Sequence, residues 1–287
     1  MSCILVTGAS GFIGKALAAK LAERHDVVAM SRKNPELDSV SFVPGEFGEF
    51  EDLRRLDPYP IEAVVHLAAV TGDTTERSAV LVNGEGSRCL MRYLLDRGCR
   101  KFVLASSIAL VGFQSTAFRP LRLPIPDDHP CLDRDGYGFS KHLMEQIARF
   151  YARQNPELDV TQLRLSTVVP DNAQPEGMMD LMEWSLGRLT FMLLSDAVEL
   201  FVRAIESPAD PGERTMNAAC HRVWSSEPTA RLLKHWYGGD ADVSHFEQPG
   251  HEFDCPYDVS CLNAYYGFEA TRTLATLARH QKAAAGA

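Results

Sequence analysis

Tyr137-Gly138-Phe139-Ser140-Lys141 sets a phenol and an ammonium four residues apart, a spacing that puts both side chains on one face of a helix. A nearby ammonium stabilises phenolate and lowers the pKa of the phenol. A phenol tuned in this way exchanges a proton with a carbonyl or an alcohol. The pair alone is common on helices by chance, so its meaning depends on its surroundings. At the other end of the chain, Thr7-Gly8-Ala9-Ser10-Gly11-Phe12-Ile13-Gly14 follows an apolar run, Cys3–Val6, and opens a helical pattern. Glycines at 8, 11 and 14 permit a tight turn, a close backbone approach to a pyrophosphate, and close packing of helix on strand. The helix N-terminus adds partial positive charge. In this strand–turn–helix context the glycines, with Ser10, Phe12 and Ile13 between them, point to a dinucleotide.

The second apolar run, Val27–Met30, ends in Ser31-Arg32-Lys33. A site that prefers NAD places an acid here for the ribose 2′-hydroxyl. A guanidinium at this place pairs with a 2′-phosphate instead. Ser31 and Arg32 therefore imply NADP rather than NAD. A solvated surface role for Arg32 is the competing reading.

These residues need elements to position them. Helical spacing covers Lys15–Arg24, Phe50–Leu56, Ser78–Asp96 and Tyr137–Gln154, while short apolar runs cover Ser41–Val43, Ala63–Leu67, Phe102–Ala105 and Val160–Leu165. Strands apolar on both faces, alternating with helices, imply a parallel sheet covered on both sides. The expected fold class is α/β, a doubly wound parallel (Rossmann) sheet over residues 1–165. A smaller, partly discontinuous substrate domain is expected over 166–287, with helices at Met178–Leu186, Asp196–Ile205, Glu227–Tyr237 and Arg272–Lys282 and a frayed end at Ala283–Ala287. Arg119–Pro130 carries four prolines in twelve residues and reads as loop.

With this order of elements, the chain resembles the extended short-chain dehydrogenase/reductases, the NAD(P)-dependent epimerase/dehydratase family. The resemblance rests on Thr7–Gly14, Val64–Ala69, Val82–Ser87, Ala105–Gly112 and Tyr137–Glu145, and covers about the first 170 residues. It implies that Ser107 hydrogen-bonds the reacting oxygen, that Tyr137 exchanges the proton, and that Lys141 holds the nicotinamide ribose and tunes Tyr137. It also implies cofactor contacts from Leu67, Ala68, Ala69, Asn83, Ser106 and Ser166, and from Glu46 and Phe47 beside adenine. Glu46 is one methylene longer than the usual aspartate. His66, inside a strand, reads as packed rather than catalytic, and no metal site is expected.

Departures from the family pattern narrow the function. Sugar 4,6-dehydratases carry Asp-Glu directly after the catalytic Ser/Thr; here those positions are Ile108-Ala109. The sixth strand continues as Arg164-Leu165-Ser166-Thr167 rather than Arg-Pro-x-Asn. Only 26 residues separate Val169 from Asp196, fewer than a nucleotide-recognition insert usually takes. The Met178–Trp184 stretch reads as an apolar wall or plain core. Arg188 reads equally as a phosphate contact or a solvated charge. Leu193–Ala197 resembles the family's His-Val-Asp-Asp-Val but lacks its His. Thr215-Met216-Asn217-Ala218 resembles a late strand that rejoins the sheet.

Composition sets the outer limits. The chain has 287 residues, 45% hydrophobic and 23% charged, with a net charge of −9. This is ordinary globular composition. The acidic balance argues against a general nucleic-acid partner, and no apolar run approaches the ~20 residues of a membrane span. Seven cysteines without a C-x-x-C pair argue against a zinc site or disulfide framework and for a reducing compartment. No signal peptide is read, so the cytoplasm is the expected location. The expected partner is a small-molecule substrate, with a homodimer through the two long helices as a family expectation. Three functions follow. The leading one is an NADP(H)-dependent oxidoreductase acting on a carbonyl or alcohol of a small or sugar-like substrate. The others are a nucleotide-sugar epimerase with retained cofactor and a non-catalytic NADP sensor.

Overall fold

The computed structural model describes residues 2–72, 74–113, 117–173, 187, 189–239 and 241–270. The expected helices at 178–186 and 272–282, the Met178–Trp184 stretch, Arg188 and the Ala283–Ala287 end lie outside the described residues. In chain order the strands are β1 (Cys3–Thr7), β2 (Asp26–Ser31), β3 (Ser41–Pro44), β4 (Ile61–His66), β5 (Lys101–Ser107), β6 (Asp159–Leu165), β7 (Val168–Val169), β8 (Met192–Leu193) and β9 (Gly212–Ala218). Seven of them form one sheet in the order β3-β2-β1-β4-β5-β6-β9, and every neighbouring pair is parallel. The late strand expected at Thr215–Ala218 is the end of β9, beside β6. Strand order reverses between β1 and β4, the place where a doubly wound sheet opens a crevice at its carboxyl edge.

The strands are buried on both faces because successive side chains alternate. Ile4, Val6, Val27, Ala29, Val65 and Val103 pack on one side, with Leu17 and Leu21 of α1 (Phe12–Leu21) and Phe201 of a later helix, Leu194–Glu206. Leu5, Val28, Met30, Val64, Phe102 and Leu104 pack on the other side against three further helices. There α2 (Phe50–Leu53) supplies Leu53, the helix Ser87–Asp96 supplies Leu90 and Leu94, and the helix Gly136–Gln154 supplies Met144 and Ala148. A third cluster joins Ile108, Leu110 and Val111 to Leu232, Leu233, Phe246 and Tyr257 of the C-terminal part.

The helix expected over Ser78–Asp96 is not uniform. It runs as α3 (Glu76–Ala79), a π-helical turn over Val80–Gly86, and α4 (Ser87–Asp96). The wider turn accompanies an inward-facing side chain. Asn83 is buried; its Oδ1 accepts from Val70 N at 2.9 Å, and its Nδ2 donates to Val70 O at 3.0 Å and Ser140 Oγ at 2.9 Å. Apolar periodicity does not register such a turn, because one inserted residue leaves the pattern on either side intact. The later helices are α5 (Gly136–Gln154), α6 (Leu194–Glu206), α7 (Thr229–Tyr237) and α8 (Ser260–Tyr266).

Two buried polar contacts fix the carboxyl edge of the sheet. His66, the last residue of β4, is buried. Its Nδ1 lies 2.6 Å from Thr7 Oγ1 and its Nε2 lies 2.9 Å from Ser87 Oγ. Ser87 spends its own proton on Asn83 O, at 2.6 Å, so the network assigns the His66 proton to Nε2. Burial, helped by the charge of Lys141, pushes the imidazole down to about 3. Deeper in the same layer, Glu145 of α5 takes a bidentate pair from Arg164 of β6, with Nε to Oε1 and Nη2 to Oε2 both at 2.9 Å. Ser106 of β5 donates to the same carboxylate at 2.6 Å. Arg164 Nη1 also donates to Asp127 O at 2.8 Å, so the pair ties in the proline-rich loop.

Two outcomes follow. His66 has a folded pKa below its unfolded value of 6.5, so its contribution to stability is present above pH 6.5 and is lost as pH falls toward 3. Urea unfolding at pH 7 and pH 5 should differ by roughly 2 kcal/mol from this group alone, and His66→Gln should remove that share of the slope. Glu145→Gln strands a buried guanidinium and should cost about 3 kcal/mol or more. A Glu145→Met/Arg164→Met double variant should lose less than Glu145→Gln.

Candidate active site

The loop between β1 and α1 is built by its glycines. Gly8 has φ +70°, and a Cβ there would stand 2.7 Å from Ala68 N. A Cβ on Gly14 would stand 2.2 Å from Gly8 O, so any side chain would force the helix off the loop. No acidic residue lies in the first turn of α1, and no side chain caps it. Its free N–H groups and the positive end of its dipole remain available to an anion.

Two cavities share this loop and make one groove along the carboxyl edge. The smaller, about 220 Å³, is lined by Gly8, Ser10, Gly11, Ser31, Arg32, Glu46, Phe47, Leu67, Ala68 and Ala69. Ser31 donates its hydroxyl proton to Lys33 O at 2.7 Å. Arg32 is exposed, and its guanidinium makes no ion pair among the described residues. Glu46 is exposed as well, and its N–H is held by Asp52 at 2.8 Å. Phe47 is buried with its edge toward His66.

The larger cavity, about 640 Å³, begins at Gly11, Phe12, Ile13 and Gly14 and ends at Ser106, Ser107, Tyr137, Lys141 and Ser166. The sheet supplies Ser107 from the end of β5 and Ser166 from just past β6, and the first turns of α5 supply Tyr137 and Lys141. Asp135 caps that helix, accepting from Tyr137 N at 2.8 Å and Gly138 N at 3.1 Å. Gly138 leaves room for Asp133, whose Oδ2 would be 1.8 Å from a Cβ. Burial and neighbouring Asp135 raise the Asp133 carboxyl to about 6.

The electrostatics of the tyrosine differ from the sequence expectation. Burial pushes the Tyr137 phenol up, and a hydrogen bond with Ser107 opposes that rise. Lys141 stands 6.0 Å from the ring centroid and donates to Ala105 O at 2.8 Å. Its ammonium is buried, which lowers it to about 8. Desolvation thus outweighs the Ser107 hydrogen bond, and the phenol keeps its proton at neutral pH.

The groove gathers every residue assigned to catalysis or to the cofactor except Asn83, which lines neither cavity. Its amide is spent on Val70 and Ser140, so it shapes the groove wall from behind. Sequence reasoning missed Thr71 and Phe113, which also line the larger cavity. Thr71 lies in the loop after β4 and Phe113 just past the 3-10 turn Ile108–Val111, and neither carries a motif. Ile108 and Ala109 line it too, so apolar wall stands where dehydratases of the family carry acids.

Comparisons with known proteins agree with this architecture. The family model of the NAD dependent epimerase/dehydratase family matches residues 4–219. The dTDP-4-dehydro-6-deoxyglucose reductase of Escherichia coli is 25% identical over 236 residues, 71% of this chain and 72% of that protein. The ADP-L-glycero-D-manno-heptose-6-epimerase of Alkalilimnicola ehrlichii is 29% identical over 286 residues, 86% of this chain and 85% of that protein. Among solved structures, a short-chain dehydrogenase/reductase superfamily protein of Agrobacterium tumefaciens with bound NAD superposes with a TM-score of 0.69. It covers 99% of both chains at 21% identity. With its family model matched over most of its length, the chain belongs to the NAD dependent epimerase/dehydratase family and is an enzyme of the short-chain dehydrogenase/reductase type.

Proposed function

We propose that the protein is an NADP(H)-dependent reductase of a carbonyl on a sugar-like substrate, with Tyr137 as general acid. The observation that carries this reading is the single groove that runs from Arg32, past the glycine loop, to Ser107, Tyr137 and Lys141. The groove suits a dinucleotide on three grounds. Side chains at Gly8 or Gly14 would fill the cradle, and among the described residues the α1 N-terminus is uncapped and the buried Ser166 Oγ has no hydrogen-bond partner. In this reading the α1 N–H groups hold the pyrophosphate, and Leu67, Ala68 and Ala69 flank the adenosine half. Glu46 and Phe47 border the adenine, and Arg32 pairs with the 2′-phosphate. When bound, the nicotinamide supplies the hydride from its C4.

The protein's own residues then handle the proton. Ser107 Oγ hydrogen-bonds the substrate oxygen and the phenol. Tyr137 Oη, kept protonated by burial, donates its proton to that oxygen as negative charge develops. Lys141, held by Ala105 O, presents an ammonium to the ribose side. Glu145 and Arg164 hold β5, β6 and α5 in register. A protonated phenol favours the reductive direction, as does the E. coli reductase among the relatives. An epimerase that oxidises and re-reduces its substrate is the second reading, supported by the heptose-6-epimerase relative. Ile108 and Ala109 leave no acid for 4,6-dehydration beside Ser107.

The test is turnover of NADPH with keto-sugar substrates. Stoichiometric consumption supports the reductase; interconversion of two sugars without net consumption supports the epimerase. Tyr137→Phe should lower kcat at least 100-fold while leaving NADPH affinity within a few-fold. Arg32→Ala should weaken NADPH binding at least 10-fold and NADH binding little; equal loss for both would remove Arg32 from the 2′-phosphate. Reductive turnover should decline above about pH 8, as Lys141 loses its proton through its lowered pKa.

A further inference from the structure

Away from the groove, three side chains of the C-terminal part converge without serving the chemistry described above. His245 lies in a 3-10 turn, Ser244–Glu247, and His251 and Asp254 lie in the loop that follows. Both imidazoles approach one carboxylate oxygen: His245 Nε2 is 3.1 Å and His251 Nδ1 is 2.6 Å from Asp254 Oδ2. The ring centroids are 4.7 Å apart, and one ligand atom from each residue falls within 4.8 Å of the others. All three are partly exposed, and none lines either cavity of the groove.

We propose that His245, His251 and Asp254 form a binding site for a divalent cation of the zinc class. Metal–nitrogen and metal–oxygen bonds of ~2.0–2.2 Å at a tetrahedral angle put neighbouring ligand atoms about 3.4 Å apart. The His–Asp distances of 3.1 and 2.6 Å must open, and the separation of the two imidazole nitrogens, which lies within 4.8 Å, must settle to that value, by side-chain rotation. Two imidazoles and one carboxylate suit zinc and its borderline neighbours, and do not suit calcium or magnesium, which take oxygen. Three protein ligands leave a position for water. Each imidazole gives a lone pair to the cation and keeps its proton on the other ring nitrogen, so no redox or covalent step is involved.

The backbone around the cluster is already restrained. Asp254 N donates to His251 O at 3.1 Å, and Thr229 Oγ1, at the start of α7, donates to Asp254 O at 2.8 Å. The 3-10 turn is tied to α7 by the Lys234–Glu247 pair at 2.5 Å. A cation would therefore close a loop whose ends are fixed, lowering the ordering cost of binding. It would staple residues 244–254 to α7. It plays no part in the proton chemistry at Tyr137.

The test uses the full chain after dialysis against a chelator, with Co²⁺ as spectroscopic probe and Zn²⁺ by calorimetry. The expected result is one saturable equivalent, with visible Co²⁺ bands and no near-ultraviolet thiolate charge-transfer band. His251→Gln and Asp254→Asn should each weaken binding at least 10-fold while leaving reductase turnover unchanged. Absence of saturable binding, a thiolate band from the free cysteines, or unaltered affinity in both variants overturns the proposal. If either variant unfolds, the wild-type Co²⁺ spectrum decides alone.

Discussion

The buried pair between Glu145 and Arg164 is the contact on which the groove edge of the sheet depends. Both side chains are almost wholly removed from water, where a lone charge would cost several kcal/mol. Neither group can drift without leaving the other unpaired. That constraint locks three segments together: β5 through Ser106, α5 through Glu145 itself, and β6 through Arg164. Ser107 is the next residue on β5, Tyr137 and Lys141 lie two turns and one turn before Glu145 on α5, and Ser166 follows β6 by one residue. The relative positions of four groove residues are therefore set by one ion pair that touches none of the groove's contents. Arg164 carries the constraint outward to the loop at Asp127, whose carboxylate accepts from Asn217 N of β9 at 2.6 Å.

The same economy governs the other half of the groove. Thr7, His66, Ser87 and Asn83 form a chain of hydrogen bonds that links the ends of β1 and β4 to the π-helical turn and to Val70. A neutral, desolvated imidazole suits this task because it accepts on one side and donates on the other. The result is an apolar wall, Leu67 to Val70, against which Gly8 packs without a side chain. Rigid surroundings matter here because the rate at a site falls steeply when its groups are misplaced by even an ångström.

Much of this was legible in the residues themselves. Gly8, Gly11 and Gly14 could be assigned because their spacing has a steric cause: a Cβ on Gly14 would stand only 2.2 Å from Gly8 O. The parallel sheet followed from strands apolar on both faces, and β9 from a short pattern at Thr215–Ala218. What escaped was the set of contacts that only the fold brings together. Asn83 was read as a cofactor neighbour, yet its amide faces Val70 and Ser140, since a π turn cannot be heard in a helical period. Tyr137 was read as acidified by Lys141, yet burial raises it, because desolvation depends on neighbours distant in sequence. Glu145 and Arg164 each looked like one more residue in a matching segment, although they are 19 positions apart and bidentate. His245, His251 and Asp254 carry no familiar spacing and met only through the turn before them.

The central claim is that one groove holds a whole dinucleotide with its nicotinamide beside Tyr137. The most direct measurement takes purified protein, identifies any nucleotide released on denaturation, and titrates the nucleotide-free protein with NADPH while following nicotinamide emission. The account predicts saturable binding with enhanced emission, as the nicotinamide leaves water for the Ser107–Tyr137–Ser166 end, and competition by adenosine 2′,5′-bisphosphate without that enhancement. Failure to bind, or binding through the adenosine half with nicotinamide emission unchanged, would contradict it.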